Sequence, residues 1–396
     1  MIQPGAMLGI LGGGQLGRMF VMAAQSMGYA VTVLDPAQDS PAGRTADRHL
    51  CADYLDFAAL DELGSTCASV TTEFENVPAD TLRYLAKFCP VRPNADCVSI
   101  AQDRIEEKQF LIRHGFALAP YLILDGQQSF ATAIDPALFP GILKSSRFGY
   151  DGKGQKSIDS ADELQSALLD RNNSPCVFEK RVPLLREISV ILARGRDQQV
   201  AFFPIAENRH TNGILDTSIV PANIKNLIAE RALKIAEQVA IRLDYVGILC
   251  IEFFLLEDDQ LLINEIAPRP HNSGHFSLDA CITSQFEQQV RVLCDLPLGG
   301  TSLMRPAVMV NLLGDLWREN CAPNWRLILN HPNAKLHLYG KQEARPGRKM
   351  GHFTVLADSA REALTQAIDI KQALASQDVF DHPAKDEAEA STLVGK

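Results

Sequence analysis

Residues 249–275, LCIEFFLLEDDQLLINEIAPRPHNSGH, constrain the fold more than any other stretch. Two apolar, β-rich runs flank an acidic turn, Glu257-Asp258-Asp259, which is the pattern of a hairpin. A loop over 257–260 pairs Leu256 with Leu261, and counting back along both strands sets Glu252 opposite Glu265. Like charges facing each other on one sheet face are destabilising. A divalent cation between them removes that cost, and Mg²⁺ is usually held by one or two carboxylates plus substrate phosphates. The alternative is an edge hairpin with both acids in water, a pattern that a one-sided sheet also produces.

The N-terminal region carries a second constraint. An apolar run over 6–11 ends in Gly12-Gly13-Gly14, and 15–27 has helical spacing with Leu16, Phe20, Ala23 and Ala24 on one side. Gly28 suits the C′ position, and a strand over 30–34 leads to Asp35. Gly12, Gly14 and Gly17 satisfy G-x-G-x-x-G, with Asp35 18 residues beyond the last glycine. Taken alone, this is a dinucleotide fingerprint and predicts an NAD-binding domain. Glycine N–H groups at a helix N-terminus also hold any other phosphate. Either way the first unit is doubly wound α/β. A strand over 69–74 runs into Glu73, Glu75 and Asn76, where such sheets bind ligands; a polar loop is the plainer reading. Helices are expected over 79–88 and 103–114.

Between 144 and 156 lies KSSRFGYDGKGQK, with three glycines and cations at 144, 147 and 153. There is no Walker A pattern, so the segment reads as a glycine lid over phosphates or as a simple hairpin turn. Ser160 and Glu163 form a capping box, and a strand over 176–180 carries Glu179. Strands follow over 188–193 and 200–205. His210 falls in a polar segment, ENRHTNG, read as a solvated loop. Helices are expected over 223–242, 284–294 and from Ser359 to about 376, and strands over 307–312, 336–339 and 352–356. Residues 341–352, KQEARPGRKMGH, are a dense basic loop in a chain of net charge −10, suited either to an anionic substrate or to solvent.

The charge balance and the lack of a long Lys/Arg block argue against a nucleic-acid partner. Nine cysteines without C-x-x-C read as reduced thiols of a cytoplasmic protein. No apolar run approaches a membrane span, and the first residues lack the charged and apolar regions of a signal peptide.

Five motifs in order, GILGGGQLGRM from Gly9, TTEFENVP from Thr71, GYDGKGQ from Gly149, NEIAPRPHNSGH from Asn264 and RPGRKMGH from Arg345, resemble the ATP-grasp ligases. Within them the chain is similar to the 5-(carboxyamino)imidazole ribonucleotide synthases of purine biosynthesis. The resemblance implies an α/β, ATP-grasp architecture: an N-terminal doubly wound pre-ATP-grasp domain (1–115), a lid domain (116–182), a catalytic domain (183–305), a C-terminal α+β subdomain (306–380) and a tail (381–396). It implies ATP with Mg²⁺, or Mn²⁺ in its place, and neither NAD nor biotin. The reaction implied is carboxylation of 5-aminoimidazole ribonucleotide by bicarbonate through carboxyphosphate. A homodimer and a downstream mutase partner are also implied.

The same resemblance assigns residues. Arg104 and Lys144 contact ATP phosphates, with the loop Gly149, Tyr150, Asp151, Gly152, Lys153, Gly154 and Gln155. Glu179, Lys180, Arg181 and Val182 line the adenine site, Glu187 holds the ribose, and His210 lies nearby. Glu252 and Glu265 ligate the metal, with Asn264 beside them. Arg269, His271, Asn272 and Lys341 surround bicarbonate. Gly14, Gln15, Leu16, Arg345, Arg348 and Lys349 hold the ribonucleotide, and Glu75 and Tyr150 meet its aminoimidazole end. Asp151 beside Lys153 relays the amine proton. Two positions depart from the common pattern: Ala267 stands where an asparagine metal ligand is frequent, and Phe148 where glycine is common in the lid. The glycine fingerprint alone leaves a dehydrogenase as a rival reading. The lid and acids alone would also fit a sister carboxylase, a formyl-phosphate-using transformylase or a non-catalytic scaffold.

Overall fold

The computed structural model describes residues 1–124, 134–147, 149, 154–171, 174–318 and 321–376. Phe148, Tyr150, Asp151, Gly152, Lys153 and the tail at 381–396 lie outside the described residues. Among the described residues the strands form three sheets.

The first sheet is parallel, in the order Arg48–Leu50, Ala30–Leu34, Met7–Leu11, Ser69–Thr72. Its central strands are apolar almost throughout because both faces are covered. Helix Gln15–Ser26 buries Phe20, Val21 and Ala24 against Leu8 and Ile10, and Val290 and Leu293 of helix Gln285–Leu293 complete that cluster. Strand order reverses at Met7–Leu11, so the crevice beyond its carboxyl end, next to that of Ser69–Thr72, is the expected ligand site of such a sheet. Gly12, Glu73 and Glu75 follow those two strand ends. The sequence reading passed over helix Ala95–Gln102. Its N-cap is Asn94, whose Oδ1 accepts from Cys97 N at 2.9 Å, a role hidden by the prolines just before it. Asp103 then caps helix Arg104–Arg113, accepting from Ile105 N at 2.9 Å.

The second sheet is antiparallel, in the order Tyr121–Leu124, Cys176–Lys180, Gly141–Ser145, Gln155–Ile158. Leu143 and Phe178 pack under helix Ala161–Asp170, which buries Leu164, Ala167 and Leu168 and is capped by Ser160.

The third sheet is the largest. Its path runs Leu261–Ala267, Gly247–Leu256, Leu184–Arg194, Ala206–Thr211, Ile214–Val220, Ala307–Leu313, Lys349–Leu356, Ala334–Leu338, and Val200–Phe202 adds to Leu184–Arg194. Helix Asn226–Arg242 lays Ile228, Ala232, Ala236 and Val239 on Val190, Leu192, Leu249 and Ile251. Helix Ala360–Ala375 covers Val308, Val310, Phe353 and Val355 at the other end. Each Val, Leu, Ile or Phe side chain so buried contributes roughly 1.5–3 kcal/mol. Strands on either side of residue 305 pair directly, Thr217 with Val310 and Val220 with Ala307, so one sheet spans that position.

His210 corrects the sequence reading: it lies on strand Ala206–Thr211, not in a solvated loop. The segment looked like a loop because it is polar, and it is polar because Asn208 and His210 face the site side while Glu207 pairs with Arg186. Among the described residues, no helix is long and apolar enough to cross a membrane.

Candidate active site

The hairpin Gly247–Leu256 and Leu261–Ala267 does place Glu252 opposite Glu265, but by a different register from the one counted along the sequence. Leu255, not Leu256, pairs with Leu261, and a bulge between Glu252 and Phe253 restores the offset. The turn is longer by one residue than expected, and Asn264 is the extra residue of the bulge. The consequence is chemical. Leu261, Ile263 and Ile266 all enter the core under helix Asn226–Arg242, so the two residues between Ile263 and Ile266 both serve the opposite face. Asn264 Oδ1 accepts from Lys144 Nζ at 3.3 Å, and Glu265 Oε2 lies 3.3 Å from Arg104 Nη2.

Burial, then the Glu265 charge, pushes the Glu252 carboxyl up to about 7. His271 Nε2 stands 3.3 Å from Glu252 Oε1, and Asn264 Nδ2 is 3.5 Å from Oε2. Among the described residues, no group of three or more His, Cys, Asp or Glu could hold a metal ion. Two facing carboxylates form a hard-oxygen donor pair that suits Mg²⁺ completed by phosphate oxygens, and suits no thiolate or imidazole metal.

Lys144 and Glu179 lie on the antiparallel four-stranded sheet, on the side of this hairpin. Lys144 Nζ is 2.9 Å from Glu179 Oε2, and Lys108 Nζ is 3.1 Å from Oε1. Burial would raise the Glu179 carboxyl, but the Lys144, Lys108 and Arg104 charges outweigh it and hold it down at about 2. Lys108 is 1% exposed, lies over the Tyr121 ring and has its ammonium pKa lowered, first by burial. Glu107 accepts from Ile266 N at 2.5 Å, and burial pushes its carboxyl up to about 7. Sequence reasoning missed both Lys108 and Glu107. The signal was present in DRIEEK: Arg104, Glu107 and Lys108 recur at i, i+3, i+4 on one helix face. Lys180 N and Arg181 N are donated to Pro120 O and Pro140 O, and Val182 packs beside Leu256 and Leu262. Gly154 O and Ser145 N bond at 3.0 Å, closing the described end of the glycine loop onto the sheet next to Gln155.

Glu187 Oε2 lies 2.5 Å from His210 Nδ1. Burial lowers the His210 pKa, yet the Glu187 hydrogen bond and charge raise it on balance.

At the other side of the hairpin, Arg269 grips Glu75 with Nε and Nη2. Burial alone would raise the Glu75 carboxyl, and the Arg269 charge holds it below the usual range. Asn272 and Asn311 exchange side-chain amide hydrogen bonds at 3.0 and 2.7 Å. Lys341 Nζ donates to Lys349 O at 2.6 Å. The Lys349 charge acts on Glu252, His210 and His271, so Lys349 sits near those three groups. Arg345 and Arg348 are held by Glu343, Arg348 through its carbonyl at 2.8 Å.

The glycine turn carries its own anion. Glu73 accepts from Gly14 N at 2.6 Å and Gly17 N at 2.5 Å. Asp35 accepts from Gly13 N at 2.7 Å and from the Tyr54 hydroxyl at 2.8 Å. A carboxylate therefore stands at the turn where the fingerprint would place a pyrophosphate, and Asp35 is tied down where the fingerprint would give it a ribose. Gln15 begins the helix behind this turn, and Leu16 packs with Met19, Phe286 and Tyr339, so its side chain belongs to the core.

Residues 6–102 match the ribonucleotide synthetase preATP-grasp domain, 109–286 the ATP-grasp domain, and 307–366 the phosphoribosylaminoimidazole carboxylase C-terminal domain. The chain is 47% identical over 355 residues to the N5-carboxyaminoimidazole ribonucleotide synthase of Brucella melitensis, covering 89% of this chain and 97% of that one. It is 42% identical over 360 residues to the enzyme of that name from Bacillus subtilis, covering 90% and 93%. The crystal structure of N5-carboxyaminoimidazole synthase from Aspergillus clavatus in complex with ADP and 5-aminoimidazole ribonucleotide superposes with a TM-score of 0.83 at 32% identity, covering 93% of this chain and 98% of that one.

Proposed function

Since the chain belongs to the N5-carboxyaminoimidazole ribonucleotide synthase family of ATP-grasp ligases, we propose how its residues divide the work of that reaction. The enzyme is an ATP-dependent ligase that carboxylates 5-aminoimidazole ribonucleotide to N5-carboxyaminoimidazole ribonucleotide in purine biosynthesis. The carboxyl donor is bicarbonate. One bicarbonate oxygen attacks the γ-phosphorus of ATP and the bond to the β-bridging oxygen breaks, leaving ADP and carboxyphosphate. The exocyclic amine then attacks the carboxyl carbon, the bond to phosphate oxygen breaks, and the amine loses a proton. Asp151 with Lys153 takes that proton.

The observation that carries this division is the meeting of Lys144, Arg104, Asn264, Glu252 and Glu265 between the two antiparallel sheets. Phosphoryl transfer is catalysed mainly by positioning and charge stabilisation. Lys144 and Arg104 supply fixed positive charge to the phosphates, with Gly149, Tyr150, Gly152, Gly154 and Gln155 over them. Glu252 and Glu265 hold Mg²⁺, for which Mn²⁺ can substitute, and Asn264 or water takes the place that Ala267 leaves without a donor. A cation held there would supply positive charge to the transferring phosphoryl group. Glu179 and the main chain of 180–182 meet adenine, and the His210-buttressed Glu187 meets the ribose. Arg269, Asn272 and Lys341 bind bicarbonate beside His271, and Glu75 binds the amine end of the ribonucleotide. Because one ion pair joins Arg269 to Glu75, the acceptor and the carboxyl donor sit side by side. Gln15 and the Arg345–Arg348 loop hold the ribonucleotide phosphate. The active form is a homodimer that delivers its labile carbamate to a downstream mutase.

The test is ADP release with ATP, Mg²⁺ and ¹⁸O-bicarbonate, with and without 5-aminoimidazole ribonucleotide. The reading expects ribonucleotide-dependent turnover, equal ADP and phosphate, and one ¹⁸O in the phosphate. ADP release indifferent to the ribonucleotide overturns the acceptor assignment, and phosphate without ¹⁸O overturns carboxyphosphate.

A further inference from the structure

Behind Glu252 a row of buried side chains crosses the large sheet. Ser218 Oγ donates to Asn208 Oδ1 at 2.9 Å, and Asn208 Nδ2 donates to Ser189 Oγ at 3.1 Å. The Ser189 and Ser273 hydroxyls are 2.7 Å apart, and Ser273 Oγ is 2.8 Å from His271 Nδ1. His271 Nε2 faces Glu252 Oε1 at 3.3 Å. Strand register builds the row: Asn208 pairs with Ser218, and Ser189 pairs with Glu252. Ser189, Ser218 and Ser273 are at most 1% exposed and Asn208 5%. Four uncharged polar residues in so dry a place hold one another satisfied, as buried polar groups must.

The direction of the row is fixed near its end. The backbone N–H of Ser273 donates to His271 Nδ1 at 3.3 Å. That nitrogen is therefore an acceptor, and in neutral imidazole the ring proton then sits on Nε2. The Ser273 hydroxyl, also against Nδ1, must donate to it, and its oxygen is left to accept from Ser189. The Ser189 oxygen in turn accepts from the Asn208 amide. Every donor in the row points toward His271.

We propose that Ser189, Asn208, Ser218 and Ser273 are positioning residues that lock His271 as the Nε2–H tautomer, so that its single ring donor is presented to Glu252 Oε1. The other Glu252 oxygen is thereby turned toward Asn264 and Glu265. Metal-binding side chains depend on such outer partners for orientation and basicity. The role for the metal rests on the reading of Glu252 and Glu265 given above; the tautomer does not.

The experiment uses the full chain with ¹⁵N-labelled histidine, and a His271→Gln spectrum identifies the His271 signals. Long-range ¹H–¹⁵N correlations should show the proton on Nε2. Asn208→Asp removes the amide donor at nearly constant shape, so the Ser189 hydroxyl turns to the new carboxylate and Ser273 loses its incoming bond. Ser189→Ala breaks the same link without adding charge. Both variants should shift the His271 Nδ1 resonance and weaken Mn²⁺ binding in the presence of ADP, read by electron paramagnetic resonance, by about tenfold. A wild-type protein with the proton on Nδ1 overturns the proposal, as do two variants with unchanged His271 resonances. Wild-type protein that binds no Mn²⁺ with ADP overturns the metal reading of Glu252 and Glu265, while the tautomer measurement decides the row separately.

Discussion

Arg269 and Glu75, 194 residues apart in the chain, meet in a two-point ion pair that joins the crevice at the parallel sheet's carboxyl end to the segment leaving the Glu252–Glu265 hairpin. A planar guanidinium fork fits a carboxylate in a way that an ammonium does not. Arg269→Lys keeps the charge and loses the fork, so kcat/KM for bicarbonate should fall about a hundredfold, the scale of losing one aimed donor. Initial rates of ADP release at varied bicarbonate measure this. An unchanged kcat/KM would reduce the pair to a structural tie.

Lys108 stands on Glu179 opposite Lys144. If Lys144 serves the ATP phosphates as proposed, it leaves Glu179 with Lys108 as its remaining ion-pair partner. Lys108→Met should therefore raise KM for ATP about tenfold, or 1.4 kcal/mol, with kcat changed less than about threefold on the same scale, and Lys108→Arg should recover part of the loss. Steady-state kinetics at saturating ribonucleotide separate the two parameters. A fall in kcat at constant KM would count against this account.

Glu73 gives a pH signature. Burial pushes its carboxyl from 4.5 up to about 7, despite the Gly17 and Gly14 N–H bonds that favour the ionised form. The folded state then binds this proton more tightly than the unfolded state. The resulting stabilisation is complete below the unfolded value and is lost as pH rises through about 7. Glu107 and Glu252 add the same sign. Glu73→Gln should flatten its share of the slope between pH 4.5 and 7, on the order of 3 kcal/mol. Urea unfolding at several pH values in wild type and variant isolates the difference, and parallel pH profiles would refute it.

The same carboxylate predicts that NAD does not bind. A titration followed by nicotinamide fluorescence should show no saturation into the millimolar range, and saturable binding would revive the dehydrogenase reading. The packing around the turn is tight: a Cβ on Gly17 would lie 2.7 Å from Gly12 O and 2.9 Å from Glu73 Oε2. Gly17→Ala should lower stability by about 1–3 kcal/mol in chemical denaturation.

Strong periodicity made some parts readable from residues alone. The glycine turn, helix Gln15–Ser26 and the capped helices from Ser160, Ser284 and Ser359 follow from local chemistry that tertiary context did not override. The Glu252–Glu265 pairing was reached through two compensating errors, one in the turn and one at the bulge. Ile263 and Ile266, three apart where a flat strand has two, were the visible sign of that bulge. His210 and Asn208 were obscured because a strand lining a polar site loses the hydrophobic alternation that marks strands elsewhere. Lys108 and Glu107 were missed for a related reason. A buried charge looks like a surface charge until its partners, here Glu179 from 71 residues later and the Ile266 N–H, are brought to it by the fold.

The hydrogen bond from Lys144 to Asn264 ties the antiparallel four-stranded sheet to the large nine-stranded one. With the strands on both sides of residue 305 woven into one sheet, this bond fastens two separate sheets together. Lys144 is engaged by Glu179 and Asn264, Arg104 by Glu265, and Arg269 by Glu75, so any anion entering between the sheets competes with the protein's own oxygens for each of these cations.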